Sequence, residues 1–307
     1  MEKIYDTIVV GGGPAGYTAA LYAARAGLSV LVLEMLSPGG QMATTLHIDN
    51  YPGVDTGADG FALGEKMQQN AEKFGAESLF AEVSALDLAA QPKTVTTSEG
   101  VFAARTVILA TGASPRKMGL PDEDALVGKG VGYCATCDGM FYKGKDVAVL
   151  GGGNSAAADA LVLSPLCRKV YLVHRRDALR ADEIYRKPLE AAGNIEFVWN
   201  AQVDAFVHDK VLTGLALTDK VTGEKRVLPV SGAFVAVGRA PNTALLAGQV
   251  ALTKEGYVEA GEDTHTSQEG VFAAGDVRTK PLRQIITAAA DGAVAATEAA
   301  AWLRRHA

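Results

Sequence analysis

The sequence predicts an α/β fold made of two Rossmann-like, three-layer ββα dinucleotide-binding domains, one inserted into the other. Two glycine-rich loops, Gly11 to Gly16 and Gly151 to Ala156, each follow an apolar run and precede a stretch of helix-forming residues. A second apolar run follows each loop. The length of 307 residues suffices for two domains, and a composition of 48% hydrophobic and 21% charged residues is typical of globular proteins.

The first loop lies in a predicted β-α-β unit. Residues 8–10 form a buried strand, residues 15–26 a helix that Gly27 can terminate, and residues 29–33 a second strand that ends at Glu34. Further along, the pattern indicates a helix over 61–74 and a hairpin over 93–102. A strand follows over 107–112 and ends in a tight turn at Gly112.

The same pattern starts again at Asp146. It predicts a strand over 146–150, a helix over 155–163 and a strand over 170–173. The run 233–238 repeats the ending of a strand in glycine. Residues 270–276 and a helix over 284–304 complete the chain.

Two proline-containing segments, at 114–116 and 239–242, mark the places where the chain passes between domains. The predicted domains are therefore 1–113 with 241–307 and the inserted 114–240. The inserted part carries 17 Lys and Arg against 15 Asp and Glu, while the rest carries 12 against 20. The more basic part suits the more anionic nucleotide.

The glycine loops predict pyrophosphate binding. The first glycine (Gly11) allows a tight turn, the second (Gly13) lets the backbone approach the phosphates, and the third (Gly16) allows close packing of helix on strand. The helix N-terminus then offers free N–H groups and positive partial charge. An ordinary glycine-rich turn is the alternative interpretation.

The ends of the second strands indicate which nucleotide each loop binds. Glu34 lies 23 residues after Gly11, where a carboxylate can accept hydrogen bonds from ribose hydroxyls. The equivalent position after Gly151 is His174, followed by Arg175, Arg176 and later Arg180. Guanidinium groups bind a 2′-phosphate that a carboxylate would repel, so the second loop is predicted to bind NADPH. The alternative is that these arginines form only a solvated surface.

A Cys-x-x-Cys pair, Cys134 and Cys137, stands before the second loop, and Asp138 follows it directly. Such pairs form small disulfides and often contain a thiol of lowered pKa, and Asp138 could deliver a proton to a leaving thiolate. Half a zinc site and two inert buried thiols are the alternatives. Zinc needs further ligands, and because Cys167 is the one other cysteine we expect no metal.

Near the end of the chain, Gly275-Asp276 follows an apolar run, and Arg283-Gln284 opens the last predicted helix. A carboxylate after such a strand can reach the ribityl or pyrophosphate of a flavin, and a helix N-terminus can stabilise negative charge on a reduced flavin ring. An ordinary helix start is equally compatible with this spacing.

Composition excludes several other classes. The net charge of −6 argues against a nucleic-acid partner, and no apolar run is long enough to span a membrane. The first residues enter a strand without a signal-peptide pattern, and three cysteines do not form a secreted disulfide framework. We therefore expect a cytoplasmic protein.

The order GGGPAG, CATCDG, GGGNSA, HRRDALRA and GDV followed by RQ resembles the low-molecular-weight, bacterial-type thioredoxin reductases, class II of the pyridine nucleotide-disulfide oxidoreductases. The resemblance covers essentially the whole chain. It implies FAD in the outer domain, NADPH in the inserted one, a homodimer, thioredoxin or a similar small dithiol protein as acceptor, Cys134 and Cys137 as the redox pair, and Asp138 as acid/base. Met140 stands where the family often has an aromatic residue, and Asn154 stands where it often has an acidic residue. We expect these two differences to tune the reaction without changing its type.

The resemblance and the loops together give the expected contacts. For FAD they are Gly11, Gly13, Pro14, Ala15, Gly16, Glu34, Gly40, Gln41, Asn50, Gly112, Gly275, Asp276, Arg283 and Gln284. For NADPH they are Gly151, Gly153, Asn154, Ser155, Ala156, His174, Arg175, Arg176 and Arg180.

The hypothesis is a thioredoxin-disulfide reductase in which electrons pass from NADPH through FAD to the cysteine pair and on to the disulfide of thioredoxin. The alternatives are a flavin-dependent dithiol oxidase, a reductase of another redoxin or glutaredoxin-like protein, a ferredoxin-linked reductase and a non-enzymatic redox sensor. The intact HRR…R segment argues against the oxidase and the ferredoxin-linked enzyme.

Overall fold

The computed structural model describes residues 3–45, 48–55 and 57–306. The chain divides into two compact units, the first comprising Met1–Ser114 with Ala240–Ala307 and the second Pro115–Arg239. The first unit is therefore discontinuous in sequence, and the second is one continuous segment.

The strands are β1 (Ile4–Val10), β2 (Val30–Glu34), β3 (Glu77–Phe80), β4 (Val83–Asp87), β5 (Lys93–Thr97), β6 (Gly100–Leu109), β7 (Ala113–Pro115), β8 (Val131–Gly132), β9 (Asp146–Leu150), β10 (Lys169–Val173), β11 (Ile195–Val198), β12 (Ala201–His208), β13 (Leu212–Asp219), β14 (Lys225–Pro229), β15 (Gly232–Val235), β16 (Arg239–Pro241) and β17 (Val271–Ala273). The α-helices are α1 (Pro14–Arg25), α2 (Gly60–Lys73), α3 (Glu123–Leu126), α4 (Ala135–Asp138), α5 (Asn154–Leu163), α6 (Glu183–Ala191) and α7 (Ile285–Arg305).

The sheet of the first unit has the order β3-β2-β1-β6-β5-β4. The strands β3, β2, β1 and β6 run parallel, and β5 and β4 add an antiparallel meander. Residues 107–109, at the C-terminal end of β6, pair with β17, whereas residues 100–104 pair with β5. The carboxyl ends of β1, β2, β6 and β17 therefore meet at one edge, where open α/β sheets bind their ligands.

Alternation along the strands divides the core of the first unit into two layers. Val9, Val32 and Ile108 face a cluster formed largely by the alanines of α1 and α7, while Ile8 and Leu33 face a second apolar cluster on the opposite side of the sheet. The two helices approach very closely, since a Cβ added at Gly292 of α7 would lie 2.2 Å from the carbonyl oxygen of Ala15.

The second unit is built in three layers. Its parallel sheet has the order β11-β10-β9-β15-β8, and β12-β13-β14 form a separate antiparallel sheet. Val147, Val149 and Leu172 pack against α5 and α6, while Leu150 and Val235 pack against the antiparallel sheet. The predicted α/β fold with two Rossmann-like sheets is confirmed, and this ββα layering agrees with it.

Most predicted elements lie where the pattern placed them, and two details differ. The first strand begins at Ile4 and not at residue 8. Gln284 caps α7 through a reciprocal capping box with Thr287, so Arg283 precedes the helix and does not open it. The antiparallel sheet β12-β13-β14 was not predicted.

Candidate active site

The first glycine loop joins β1 to α1 in a conformation that excludes side chains. Gly11 has a φ of +107°, and a Cβ there would lie 2.3 Å from the Ala110 carbonyl oxygen. A Cβ at Gly16 would lie 1.8 Å from the carbonyl oxygen of Gly11. Gly13 is the N-cap of α1, and Pro14 occupies the first helical position. The loop thus presents the helix N-terminus with little covering it, which suits a pyrophosphate.

Glu34 has a contact that the sequence did not predict. Its Oε2 accepts a hydrogen bond of 2.7 Å from the Gly12 N–H, and its Oε1 accepts one of 3.1 Å from the Leu36 N–H. The carboxylate therefore anchors the glycine loop to the end of β2. A carboxylate has about four acceptor sites, so sites remain for ribose hydroxyls.

Other residues expected to contact FAD pack directly on this loop. A Cβ at Gly40 would lie 3.4 Å from the Cα of Gly13, and a Cβ at Gly275 would lie 2.9 Å from the Cβ of Ala15. The Gly275-Asp276 turn, from the end of the chain, is thus placed beside the N-terminus of α1.

The remaining expected residues of the first unit form contacts in pairs. Asn50 Nδ2 donates to Gln284 Oε1 over 2.9 Å. Gln41 Nε2 donates to the Ala113 carbonyl, one residue after Gly112.

Arg283 lies with its guanidinium carbon 4.0 Å from the Tyr257 ring centre, and its Nε donates to the Asp276 carbonyl over 3.4 Å. The structure therefore links Arg283 to the Gly275-Asp276 turn.

Asp291 of α7 supports the same turn and was missed by sequence reasoning. Its Oδ2 accepts hydrogen bonds from the Gly275 N–H over 2.9 Å and from Lys280 Nζ over 2.6 Å, and the guanidinium of Arg278 binds both of its oxygens. Burial alone would raise the pKa of Asp291, but the bonds from Arg278 and Lys280 outweigh it and hold the pKa below its usual value. An acidic residue among the alanines of the last helix was the available signal.

The second glycine loop repeats the first with one substitution. A Cβ at Gly151 would lie 2.3 Å from the Ala236 carbonyl oxygen and 3.0 Å from the Cβ of Ala156, which stands where the first loop has its third glycine. Gly153 is the N-cap of α5, with nothing within 4 Å of an added Cβ. Asn154 and Ser155 in the first turn are exposed. This helix end is open to a second phosphate group.

His174 forms the floor of the second loop. It is 5% exposed, and a Cβ at Gly152 would lie within 2.3 Å of its imidazole ring. Burial lowers the pKa of His174, and the positive charges of Arg180 and Arg176 lower it further, which favours the neutral ring. Its Nε2 is buried without a hydrogen-bond partner among the described residues. A polar group of a ligand would satisfy that atom.

Arg175, Arg176 and Arg180 are exposed on the segment that follows. Within the described residues, none of their guanidinium groups forms an ion pair or a hydrogen bond with a carboxylate. The backbone N–H of Arg180 donates to the Gly152 carbonyl over 2.7 Å, which places it directly against the second loop. Three cations without a partner in the described part of the chain, next to an open helix N-terminus, suit an additional phosphate.

A disulfide joins Cys134 and Cys137, whose Cα atoms are 5.3 Å apart. Cys137 is exposed and Cys134 half-buried. Burial raises the pKa of Asp138, and its Oδ2 lies 3.1 Å from the place a Cβ would occupy on Gly132. The glycine in β8 therefore leaves the space that the Asp138 carboxylate needs.

Glu123 forms a brace next to the disulfide that sequence reasoning did not find. It is 3% exposed, and its carboxylate accepts hydrogen bonds from the Tyr133 hydroxyl over 2.7 Å, the Met118 N–H over 2.9 Å and the Gly119 N–H over 2.8 Å. These bonds fix the side chain of the residue that immediately precedes Cys134. Nothing in the local pattern distinguishes Glu123 from its acidic neighbours.

Two further features are absent from residues 3–45, 48–55 and 57–306. No group of three or more His, Cys, Asp or Glu is arranged to hold a metal ion there. No helix in those ranges is long and apolar enough to cross a bilayer.

Comparison with known proteins identifies this combination of loops and dithiol. The profile of the pyridine nucleotide-disulphide oxidoreductases matches residues 5–292. The chain belongs to this family. Among its members, the thioredoxin reductase of Mycolicibacterium smegmatis is 45% identical over 303 residues, covering 98% of this chain and 97% of that protein. The resemblance to thioredoxin reductases is confirmed.

Further members extend the comparison. The bifunctional thioredoxin reductase/thioredoxin of Mycobacterium leprae is 46% identical over 100% of this chain and 67% of its own length. The crystal structure of Lactococcus lactis thioredoxin reductase is 37% identical and superposes with a TM-score of 0.94, covering 98% of this chain and 99% of that one. One relative bears another name, the glucosaminate ammonia-lyase of Pseudomonas fluorescens, 45% identical over 96% of this chain and 95% of its own length.

Proposed function

We propose that this chain is a thioredoxin-disulfide reductase that contains FAD and uses NADPH. The observation that carries the proposal is the disulfide between Cys134 and Cys137, in a chain that also has two open phosphate loops. An ammonia lyase transfers no net electrons and has no use for such a dithiol. The three unpaired arginines after the second loop favour a nicotinamide substrate over oxygen or ferredoxin as the other redox partner.

We assign FAD to the first unit and NADPH to the second. The first loop with Glu34, the Gly275-Asp276 turn and the Asn50–Gln284 pair would hold FAD. Gly151 to Ala156, His174 and the three arginines would hold NADPH. The residues fit both groups, because the space beside Gly13 and Gly153 is open to a phosphate and because His174 Nε2 lacks a partner within the described chain.

Bound FAD supplies hydride acceptance from NADPH and delivery of two electrons to a disulfide. In the protein, two electrons break the Cys134–Cys137 bond and leave two sulfurs, one of which needs a proton. We assign that proton to Asp138, whose raised pKa makes it a better donor than an exposed aspartate. One thiolate then attacks the acceptor disulfide, and the second resolves the mixed disulfide, so that the acceptor leaves with two thiols.

We propose thioredoxin as the acceptor. The relative from Mycobacterium leprae, whose name includes a thioredoxin, supports this choice. The side chains of Met140 and Phe141, 61% and 74% exposed, lie a few residues after the exposed Cys137 and offer apolar contacts to a small protein.

We also propose a cytoplasmic homodimer. On the first unit, a cleft of about 750 Å³ between α1, α2 and α7 includes Tyr22, Met67 and Ile286. Tyr22 and Ile286 are 49% and 43% exposed, and a second copy of this face would cover them. The free, buried Cys167 agrees with a reducing compartment. Sedimentation velocity of the purified protein tests the dimer, and a monomer at micromolar concentration would contradict it.

The test is anaerobic reduction followed by turnover. NADPH should bleach the flavin of the wild type, and thioredoxin should then make NADPH oxidation continuous. Cys134→Ser and Cys137→Ser should each bleach normally and lose turnover, while Cys167→Ser, at the cysteine outside the pair, retains both. NADPH oxidation that is equally fast in air without thioredoxin would indicate a dithiol oxidase. A protein without flavin would overturn the proposal.

A further inference from the structure

The segment that carries the three arginines is held rigidly although it has no regular secondary structure. We call residues 175–181 the arginine loop. Leu179 and Ala181 are buried in the apolar core of the second unit, while Arg180 and Asp182 beside them are exposed. This alternation fixes which backbone positions face solvent and directs the side chain of Arg180 away from the core.

Polar contacts tie the arginine loop to the second glycine loop. The side chain of Asn154, in the first turn of α5, forms a reciprocal pair with Asp182. Asn154 Nδ2 donates to Asp182 Oδ2 over 2.6 Å, and the Asp182 N–H donates to Asn154 Oδ1 over 2.8 Å. Together with the bond from the Arg180 N–H to Gly152, these contacts link the end of the arginine loop to the place where phosphates would bind.

Helix α6 holds the arginine loop from the other side. Arg186 is half-buried, and its guanidinium donates from Nε to the Ala181 carbonyl and from Nη2 to the Leu179 carbonyl, both over 2.7 Å. Because those donors already have partners, Arg186 differs from the three exposed arginines, whose guanidinium groups are unpaired among the described residues. Its contacts are those of a structural clamp.

We infer that Asp182 and Arg186 are positioning residues that set the selectivity of the second site for a 2′-phosphate. Three like charges on a short loop repel one another, so an unbraced loop would spread them apart. Holding the loop in its binding conformation removes the ordering cost from association, which raises the affinity for the ligand that the loop contacts. The inference rests on the proposed use of NADPH.

Charge repulsion alone predicts the opposite effect on phosphate binding when the carboxylate of Asp182 is removed. A carboxylate close to a phosphate site repels the phosphate, so its removal would tighten binding if charge were its main role. The positioning role predicts that removal weakens binding. The sign of the change at Asp182 therefore separates the two explanations.

The experiment is a calorimetric titration of the flavin-loaded enzyme with two probes, adenosine 2′,5′-bisphosphate and AMP. We expect Asp182→Ala to weaken binding of the bisphosphate about tenfold and of AMP less than about twofold, because only the former reaches the braced arginines. Asp182→Asn keeps an oxygen to accept from Asn154, so its affinity should stay within about twofold of the wild type. Asp182 gives α6 no side-chain cap, so the helix should survive the substitution.

Arg186→Lys is a second, charge-conserving variant, and it should weaken the bisphosphate about fivefold because an ammonium is not a planar fork that spans two carbonyls. Arg168→Lys is its matched control, since Arg168 also forms a bidentate contact. Its partner is Asp146, and the pair lies at the start of β10, whereas the arginine loop follows the end of that strand. That control should leave both probes unchanged.

The measurements distinguish failure of the positioning role from failure of the NADPH assignment. Unchanged or tighter bisphosphate binding in Asp182→Ala, or equal weakening of both probes, would overturn the positioning role while leaving NADPH-dependent reduction intact. A wild type that binds both probes equally would refute the NADPH assignment itself, and the inference would fall with it. In turnover, the positioning role requires a raised KM for NADPH with kcat and the KM for NADH nearly unchanged.

Discussion

The hydroxyl of Tyr133 donates a hydrogen bond of 2.7 Å to the buried carboxylate of Glu123. Burial and that carboxylate both raise the pKa of Tyr133, so the phenol stays protonated and remains a donor at neutral pH. Because Cys134 follows Tyr133 directly, the bond fixes the backbone that leads into the disulfide.

Tyr133→Phe should lower the free energy of unfolding by about 1–2 kcal/mol, because it removes one of the two hydrogen bonds to Oε1 of a buried carboxylate and leaves only the one from the Met118 N–H. We also expect slower reduction of thioredoxin with unchanged bleaching of the flavin by NADPH, since the perturbation lies next to the cysteines. Urea unfolding and anaerobic stopped-flow absorbance measure the two effects. Tyr171→Phe is the control, because Tyr171 packs on the same apolar cluster without touching Glu123; equal losses in both variants would contradict the prediction.

Arg175→Ala combined with Arg176→Ala should weaken NADPH binding about 10- to 100-fold, the loss expected for two charge-assisted contacts with a phosphate. NADH lacks the 2′-phosphate, so its KM should change less than about threefold. Steady-state KM values for both nucleotides with saturating thioredoxin provide the measurement. Similar weakening of NADH would mean that these arginines do not contact the 2′-phosphate.

Stability should depend on pH through Asp159 of α5. Burial raises the pKa of Asp159 to about 7, against a partial lowering by Arg239. The folded state therefore holds a proton that the unfolded chain releases near its ordinary pKa, so stability falls as pH rises from about 4 to about 7. Asp159→Asn removes this dependence and should stabilise the protein at pH 8 by about 1–2 kcal/mol, with a smaller gain at pH 5. Thermal melts at both values test this, and a gain independent of pH would exclude ionisation as the cause.

Gly292→Ala should destabilise the first unit by about 1–3 kcal/mol, because the added methyl group would overlap the Ala15 carbonyl and push α7 away from α1. The purified variant should also contain less flavin, since Ala15 lies in the first turn after the glycine loop. Absorbance at the flavin band relative to protein, together with urea unfolding, gives both values. Gly193→Ala, at a site with nothing within 4 Å of an added Cβ, should behave as the wild type.

The sequence was sufficient for the central strands of the two parallel sheets, but not for β3, β8 and β11. Residues 8–10 of β1 and 147–150 of β9 are buried on both faces, so each segment is an apolar run, and the glycine loops identify the helix that follows. The antiparallel sheet β12-β13-β14 was not predicted, because one of its faces is exposed to solvent and each of its strands therefore contains polar residues. Its apolar side chains, including Phe206 and Leu215, show their role only once the facing parallel sheet is present.

The sequence yields candidate site residues one by one, but it does not yield the contacts among them. The glycine loops and the HRR segment are short sequence motifs, so their residue types and spacings indicate their chemistry without knowledge of the fold. The pairing of Asn154 with Asp182 spans 28 residues, and the contact of Tyr133 with Glu123 depends on a backbone turn that wraps the carboxylate. Such partners depend on three-dimensional proximity, and periodicity carries no information about it.

The packing of α7 on α1 determines the order in which the two units can fold during synthesis. The helix α1 is made before the second unit, whereas α7, which packs against α1 through Gly292, is made after the second unit. The second unit is continuous in sequence and needs no later residues for its own core. A nascent chain should therefore complete the second unit first and bind flavin only after α7 has been made.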